Sequence, residues 1–224
     1  MLLISILLSM QSVFMKAQDS GWYPEFLEPV VEQVAQAAPA QQHLQVLDIG
    51  TGPGKLPEML IRKDTSLHIT GIDIDTGMID AARQRLQHKN VRFEYEKINA
   101  PLDFADQQYD VVTFCSVLFL VDDSVKNLLM NEALRVLKPN GKIIVLTPSG
   151  ERSFLSAFAE VWRFPFTAYN WTFLIWRAFT SHRGSGWQKT KWLENYAKQK
   201  KLNYQTSLVF NQNSSLEIIT KSSN

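Results

Sequence analysis

From residue 44 to 147 the chain alternates short apolar runs with stretches whose apolar residues recur every three or four positions. The runs are "LQVLDIG" (44–50), "HITGIDI" (68–74), "VRFEYEKI" (91–98), "YDVVTFCSV" (109–117) and "GKIIVLT" (141–147). Their length and composition predict strands. Between them, "KLPEMLIRK", "TGMIDAARQRLQH" and "DSVKNLLMNEALRVLK" carry helical spacing, and "KPNG" stops the last. Such alternation predicts an α/β fold, a doubly wound, mostly parallel sheet with helices on both faces. Near the C-terminus "NYQTSLVF" (203–210) and "SLEIITK" (215–221) flank the polar turn "NQNS". They predict an antiparallel hairpin that completes a seven-stranded sheet. Ahead of the first strand, "PEFLEPVVEQVAQAA" (24–38) reads as an amphipathic helix.

Two regions depart from this alternation. Residues 148–202 exceed what one crossover helix needs, and five of the six tryptophans fall between 162 and 192. At the other end, "MLLISILLSM" opens the chain. This run is too short to span a bilayer, and no Lys or Arg precedes it as in an export signal. Three readings stay open: a helix packed on the domain or over its pocket, a membrane-touching helix, or a true start at Met10 or Met15. The expected division is an N-terminal helical segment, 1–40, acting as a lid or membrane contact, and a main domain, 41–224, with an aromatic-rich insertion at 151–200.

Composition narrows the function classes. With 45% hydrophobic and 20% charged residues, the 224-residue chain is that of an ordinary globular protein. A net charge of +1 gives no global attraction to nucleic acid. A single cysteine, Cys115, forms no internal disulfide and fits a reducing compartment. The expectation is a cytoplasmic protein, peripheral at the inner membrane surface if it meets lipid, and a monomer or weak homodimer.

The chemistry centres on "VLDIGTGPGKLPEML", where a glycine-rich turn joins the first strand to a helix. A dinucleotide loop runs G-x-G-x-x-G. Here Gly50, Gly52 and Gly54 make G-x-G-x-G, with Lys55 in the place of that third glycine. Asp48, at the end of the first strand, sits badly beside a pyrophosphate but suits a cofactor carrying an ammonium and a sulfonium. "VLDIGTGPG" resembles motif I of the class I S-adenosylmethionine-dependent methyltransferases, which share a Rossmann-like sheet. "GIDID", "TGMIDAAR", "INAPLDF", "YDVVTFCSVLFLVDD" and "NEALRVLKPNGKIIVLTPS" extend the resemblance over roughly 44–148. It is greatest to the type 11, or quinone-biosynthesis-type, enzymes.

The resemblance implies S-adenosylmethionine as cofactor. It places Asp73 on the ribose hydroxyls, Met78 against the adenine and Asn99 where the family carries an aspartate facing the adenine amino group. It further implies contacts from Asp48, Gly50, Thr51, Gly52, Gly54, Ile74, Ala100, Cys115 and Ser116. Asp75, Asp122 and Asp123 read as helix caps. His43, His68 and His88 look solvated, and no set with metal-ligand spacing is evident.

Methyl transfer from a sulfonium needs alignment more than a base, and alignment alone is worth roughly 7–11 kcal/mol. If a base is used, Tyr169 and His182 are the candidates. The insertion holds nine Lys/Arg against three Asp/Glu over 151–201. Trp162, Tyr169, Trp171 and Trp176 are the candidate acceptor contacts, for a small lipophilic or aromatic molecule (a quinol, phenol, amine or lipid headgroup). A peripheral membrane contact fits the same composition. A nucleic-acid methyltransferase and a non-catalytic cofactor-binding module are the competing classes.

Overall fold

The computed structural model describes residues 15–37, 43–97, 100–149 and 154–221. Seven strands form one sheet in the order β3-β2-β1-β4-β5-β7-β6. β1 (Gln45–Ile49), β2 (His68–Asp73), β3 (Val91–Tyr95), β4 (Tyr109–Cys115) and β5 (Leu137–Pro148) run parallel. β6 (Asn203–Val209) and β7 (Ser214–Thr220) form the antiparallel hairpin, with β7 paired to β5. The connecting helices are α1 (Trp22–Ala37), α2 (Lys55–Lys63), α3 (Thr76–Arg85), α4 (Asp123–Val136), α5 (Phe154–Val161), α6 (Ala168–Thr190) and α7 (Trp192–Gln199).

Successive strand residues face opposite sides, and both sides are covered. Val46, Val111, Ile144 and Leu146 join a core with α1, α2 and the first half of α6. Leu47, Val112, Phe114, Ile143 and Val145 join a second core with α4 and α7. That double burial is why the strands read as nearly unbroken apolar runs.

In α1 the residues Trp22, Phe26, Val30 and Val34 repeat every four positions and are all buried, as are Tyr23, Leu27 and Val31. From Trp22 to Val34 the N-terminal segment thus packs into the same core as Val46, Ile144 and Leu146. Residues 1–14 lie outside the described residues, with the three readings of the opening run.

Local chemistry explains the helix ends. The Asp75 carboxylate accepts from the backbone N–H groups of Gly77 and Met78, and that of Asp122 from Val125. Asp123 is the first residue of α4, paired with Lys126, and is not a cap. α4 ends at Val136, and "LKPN" opens β5 instead of forming a loop. Asn140 takes the left-handed backbone there (φ 62). Gly141 is needed for closeness, since a Cβ would lie 2.7 Å from the Leu137 side chain and 2.8 Å from the Asp110 carbonyl.

Candidate active site

Strand order reverses between β1 and β4, and in open sheets of this kind ligands bind beyond the carboxyl ends of the strands at such a point. A pocket of about 340 Å³ lies there. Its floor and walls come from the ends of β1, β2 and β4, the turn Leu118–Leu120 after β4, and α4. Of the residues implied by the resemblance, Gly50, Gly52, Asp73, Ile74, Met78, Cys115 and Ser116 line it. The structure brings these seven together from three separate strand ends.

The loop is held by its own backbone. The N–H groups of Gly50 and Thr51 both donate to the Ile72 carbonyl at 2.9 Å. That of Gly52 donates to Asp73 Oδ2 at 2.9 Å, and the N–H of Asp75 donates to Asp73 Oδ1 at 3.0 Å. The Asp73 carboxylate is thereby fixed with an acceptor position left on each oxygen. Burial raises its pKa, against the two N–H bonds that lower it. Gly50 has φ 74 and Gly52 φ 54, backbone that glycine adopts without strain. A Cβ on Gly50 would also overlap the Val117 side chain.

Gly54 serves a different purpose. It precedes α2 with φ 80, and a Cβ would sit 3.1 Å from both Ala82 and Phe93. It lets α2 pack closely on α3 and β3, the task of the third glycine in dinucleotide loops, and it does not line the pocket.

Asp48 and Thr51 are likewise buried behind the pocket surface. Asp48 Oδ1 accepts from the Thr113 hydroxyl at 2.7 Å. Desolvation pushes its pKa up to about 6, with Asp73 adding to the rise and the Thr113 and Thr51 hydroxyls opposing it. Ala100 is described but lies off the lining, and Asn99 falls outside the described residues. Burial, then the Asp48 charge, hold the Cys115 thiol well above its ordinary value, which disfavours the thiolate that a nucleophile needs.

The acceptor candidates stand elsewhere. Trp162, Tyr169 and Trp171 are exposed and do not line the pocket. Trp176 is buried against Trp22, Phe26 and Phe173, with ring centroids 5.1, 5.2 and 5.6 Å away. His182 is exposed on α6, also off the pocket. Of these five residues only Trp176 is buried, in the core that the first half of α6 shares with α1; the other four stand at the surface, off this pocket. Reasoning from sequence missed Val117, Leu120, Val121 and Leu129 on one wall, and Glu96, Lys97 and Leu102 on another. The run "VLFLVDD" directly after the β4 strand end was the available signal for the first wall.

The residues present fit S-adenosylmethionine. Asp73 offers acceptors for two hydroxyls, while Ile74, Met78 and Leu102 offer apolar surface for a planar base. The buried Ser116 hydroxyl has no partner among the described residues, and its backbone is held at φ 61. Asp73, Asp75 and Glu96 outnumber Lys97 along the lining, a balance that favours a cationic ligand over a pyrophosphate. Among the described residues no His, Cys, Asp or Glu cluster is placed to hold a metal ion.

A strand order of 3-2-1-4-5-7-6 with a glycine loop after β1 and an acid ending β2 defines an S-adenosylmethionine-dependent methyltransferase fold. Residues 40–204 match the family described as a methyltransferase domain, and the chain belongs to it. It is 33% identical over 102 residues to the ubiquinone/menaquinone biosynthesis C-methyltransferase of Desulfotalea psychrophila, covering 46% of this chain and 40% of that protein. It is 32% identical over 119 residues to the demethylmenaquinone methyltransferase of Tropheryma whipplei, covering 53% and 47%. The chain spans about half the length of the curated relatives it matches.

Among solved structures, a SAM-dependent methyltransferase from Aquifex aeolicus superposes with a TM-score of 0.60 at 16% identity, over 85% of this chain and 88% of that one. The plantazolicin methyltransferase BpumL, solved with S-adenosylhomocysteine, gives 0.62 at 15% identity, over 93% and 86%. At such identities the likeness establishes the fold.

Proposed function

We propose that this protein transfers the methyl group of S-adenosylmethionine to a small apolar acceptor of the quinol or phenol type. The observation that carries the reading is the apolar side of the pocket. Val117, Leu120 and Val121 line it from the segment after β4 and Leu129 from α4, whereas Asp73 ends β2, on the other side of β1 in the sheet; Leu120 is half exposed. A wall of this kind favours an uncharged ring over a phosphate backbone or a cationic amine. The names of the two quinone-biosynthesis relatives agree with it.

The bound sulfonium supplies an already activated methyl group. The chain's task is to hold donor and acceptor in line and to keep water out. Asp73 and the Gly50–Gly52 backbone fix the donor's nucleoside end. Leu120, Val121 and Leu129 shape the acceptor's volume, and Ser116 offers a hydroxyl on the lining. Tyr169 and His182 do not line this pocket, so a proton lost by the acceptor leaves to solvent, to a group that the acceptor carries, or to a carboxylate of the lining.

The test is a panel of quinols, phenols, amines, phospholipids and RNA with methyl-labelled S-adenosylmethionine. Label on a quinol or phenol is the expected result; label only on RNA or an amine would overturn the reading.

A further inference from the structure

The aromatic residues that miss the pocket form a surface of their own. Trp171, Ile175 and Phe179 recur every four residues on the outer face of α6, 36%, 39% and 55% exposed. The face continues past Gly186, where an added Cβ would meet nothing within 4 Å. Two more exposed rings extend the ridge through direct contact. Phe166 lies 5.7 Å from Trp171, and Trp162 lies 4.7 Å from Phe166, with 61% and 65% exposure. Lone exposed apolar residues need no explanation, but a contiguous aromatic ridge does.

Charge indicates the occupant. From 161 to 193 the chain carries Arg163, Arg177, Arg183, Lys189 and Lys191 and no acid, although Arg163 is paired with Glu160 and Glu25 and Lys191 with Glu194. Arg177 is buried, while Arg183 and Lys189 are exposed on α6 beyond Phe179. A second copy docked by two-fold symmetry would bring no carboxylate from this stretch to meet those cations. Anionic lipid headgroups would. Tryptophan and phenylalanine beside arginine and lysine is the composition of a helix lying in a bilayer interface, apolar side down and cations at headgroup level. Among the described residues no helix is long and apolar enough to cross a membrane, so contact through α6 would be peripheral.

We infer that the outer face of α5–α6, from Trp162 to Phe179, docks on an anionic phospholipid bilayer. The inference does not rest on the acceptor, because an enzyme for a water-soluble acceptor would carry the ridge equally well. It is tested by co-sedimenting the full chain with phosphatidylcholine vesicles, with and without about 30% phosphatidylglycerol, at low and high salt. The comparison variant is Phe166→Ser/Ile175→Ser/Phe179→Ser. All three side chains are exposed, so its melting temperature and S-adenosylhomocysteine affinity are expected to match the parent.

Expected are at least ten-fold tighter binding to the anionic vesicles, weakening with salt, and at least a ten-fold loss in the variant. Absence of vesicle binding by the full chain overturns the inference. So does binding that the variant retains in full. Concentration-dependent self-association that the variant abolishes, without vesicle binding, would assign the ridge to a second copy. Acceptor turnover in detergent-free solution reads out the proposed reaction separately.

Discussion

Asp48 is buried beneath the glycine loop, and ionising it there costs the native state energy that asparagine would not. Its pKa rises from the ordinary 3.8 to about 6, chiefly through desolvation. Below pH 4 native and unfolded chains both hold this proton, and the residue adds no pH dependence. Between about pH 4 and 6 the unfolded chain has released it while the native state keeps it, so stability falls as pH rises. Above pH 6 both are ionised, and the native state carries a constant deficit of about 3 kcal/mol. Asp48→Asn removes that deficit. Its Oδ1 can still accept from the Thr113 hydroxyl, now 2.7 Å from the carboxylate. Its new amide N–H₂ needs a partner, and leaving it without one costs about 1–3 kcal/mol at every pH. The robust quantity is therefore a difference of differences. Urea unfolding without cofactor, for parent and variant from pH 4 to 8, should show the variant gaining about 3 kcal/mol relative to the parent across the range. Other titrating groups cancel, apart from Asp73, whose repulsion by Asp48 is also relieved. Two stability curves that stay parallel would refute a raised Asp48.

Replacing Asp73 by alanine should weaken S-adenosylhomocysteine binding by about 1.5–3 kcal/mol with the fold intact, and an unchanged dissociation constant by calorimetry would remove it from the site. Gly50→Ala places a Cβ against Val117 at a positive φ and should lower cofactor affinity at least ten-fold, read in the same titration. Trp176→Ala should destabilise by about 3–5 kcal/mol as a core truncation; a stable variant with only a raised acceptor Michaelis constant would return Trp176 to the acceptor site. Trp162→Ala, at an exposed ring, should change stability by no more than about 0.5 kcal/mol.

How much of this was legible in sequence depends on how local the cause was. The five parallel strands were, because each is a short apolar run between turn residues, and each run overlaps its observed strand. So was the gathering of Asp73, Met78, Gly50 and Gly52 at one pocket, because each follows directly from the loop, strand end or first helical turn it occupies. The start of β5 was not, because a proline and a glycine argue for a loop, while pairing of Tyr109 with Leu137 draws "LKPN" into the sheet. The motif points Gly54 at the cofactor because its backbone freedom is visible there. The reason for it, the approach of Ala82 and Phe93, belongs to other elements. In α6 the difficulty is sharper. Phe173 and Trp176 point inward and Trp171, Ile175 and Phe179 outward, so both faces are apolar and periodicity cannot say which one is buried.

That ambiguity follows from two demands on one helix. Its inner face packs on α1 and β5, where Phe173 and Trp176 meet the rings of Trp22, Phe26 and Phe210. Its second half reaches the pocket indirectly. α6 packs on the Leu118–Leu120 turn, and Trp187 shares a core cluster with Leu118 and Phe119 while donating its indole N–H to Glu217 at 2.5 Å. The wall proposed for the acceptor is thus carried in part by a short turn that α6 backs from far along the chain. Donor contacts tolerate no such indirection, since a nucleoside must meet fixed backbone and a fixed carboxylate. An acceptor wall can move by repacking apolar side chains behind it. The motif-bearing half of the sequence therefore identifies the donor, and the identity of the acceptor is written in packing that no local pattern contains.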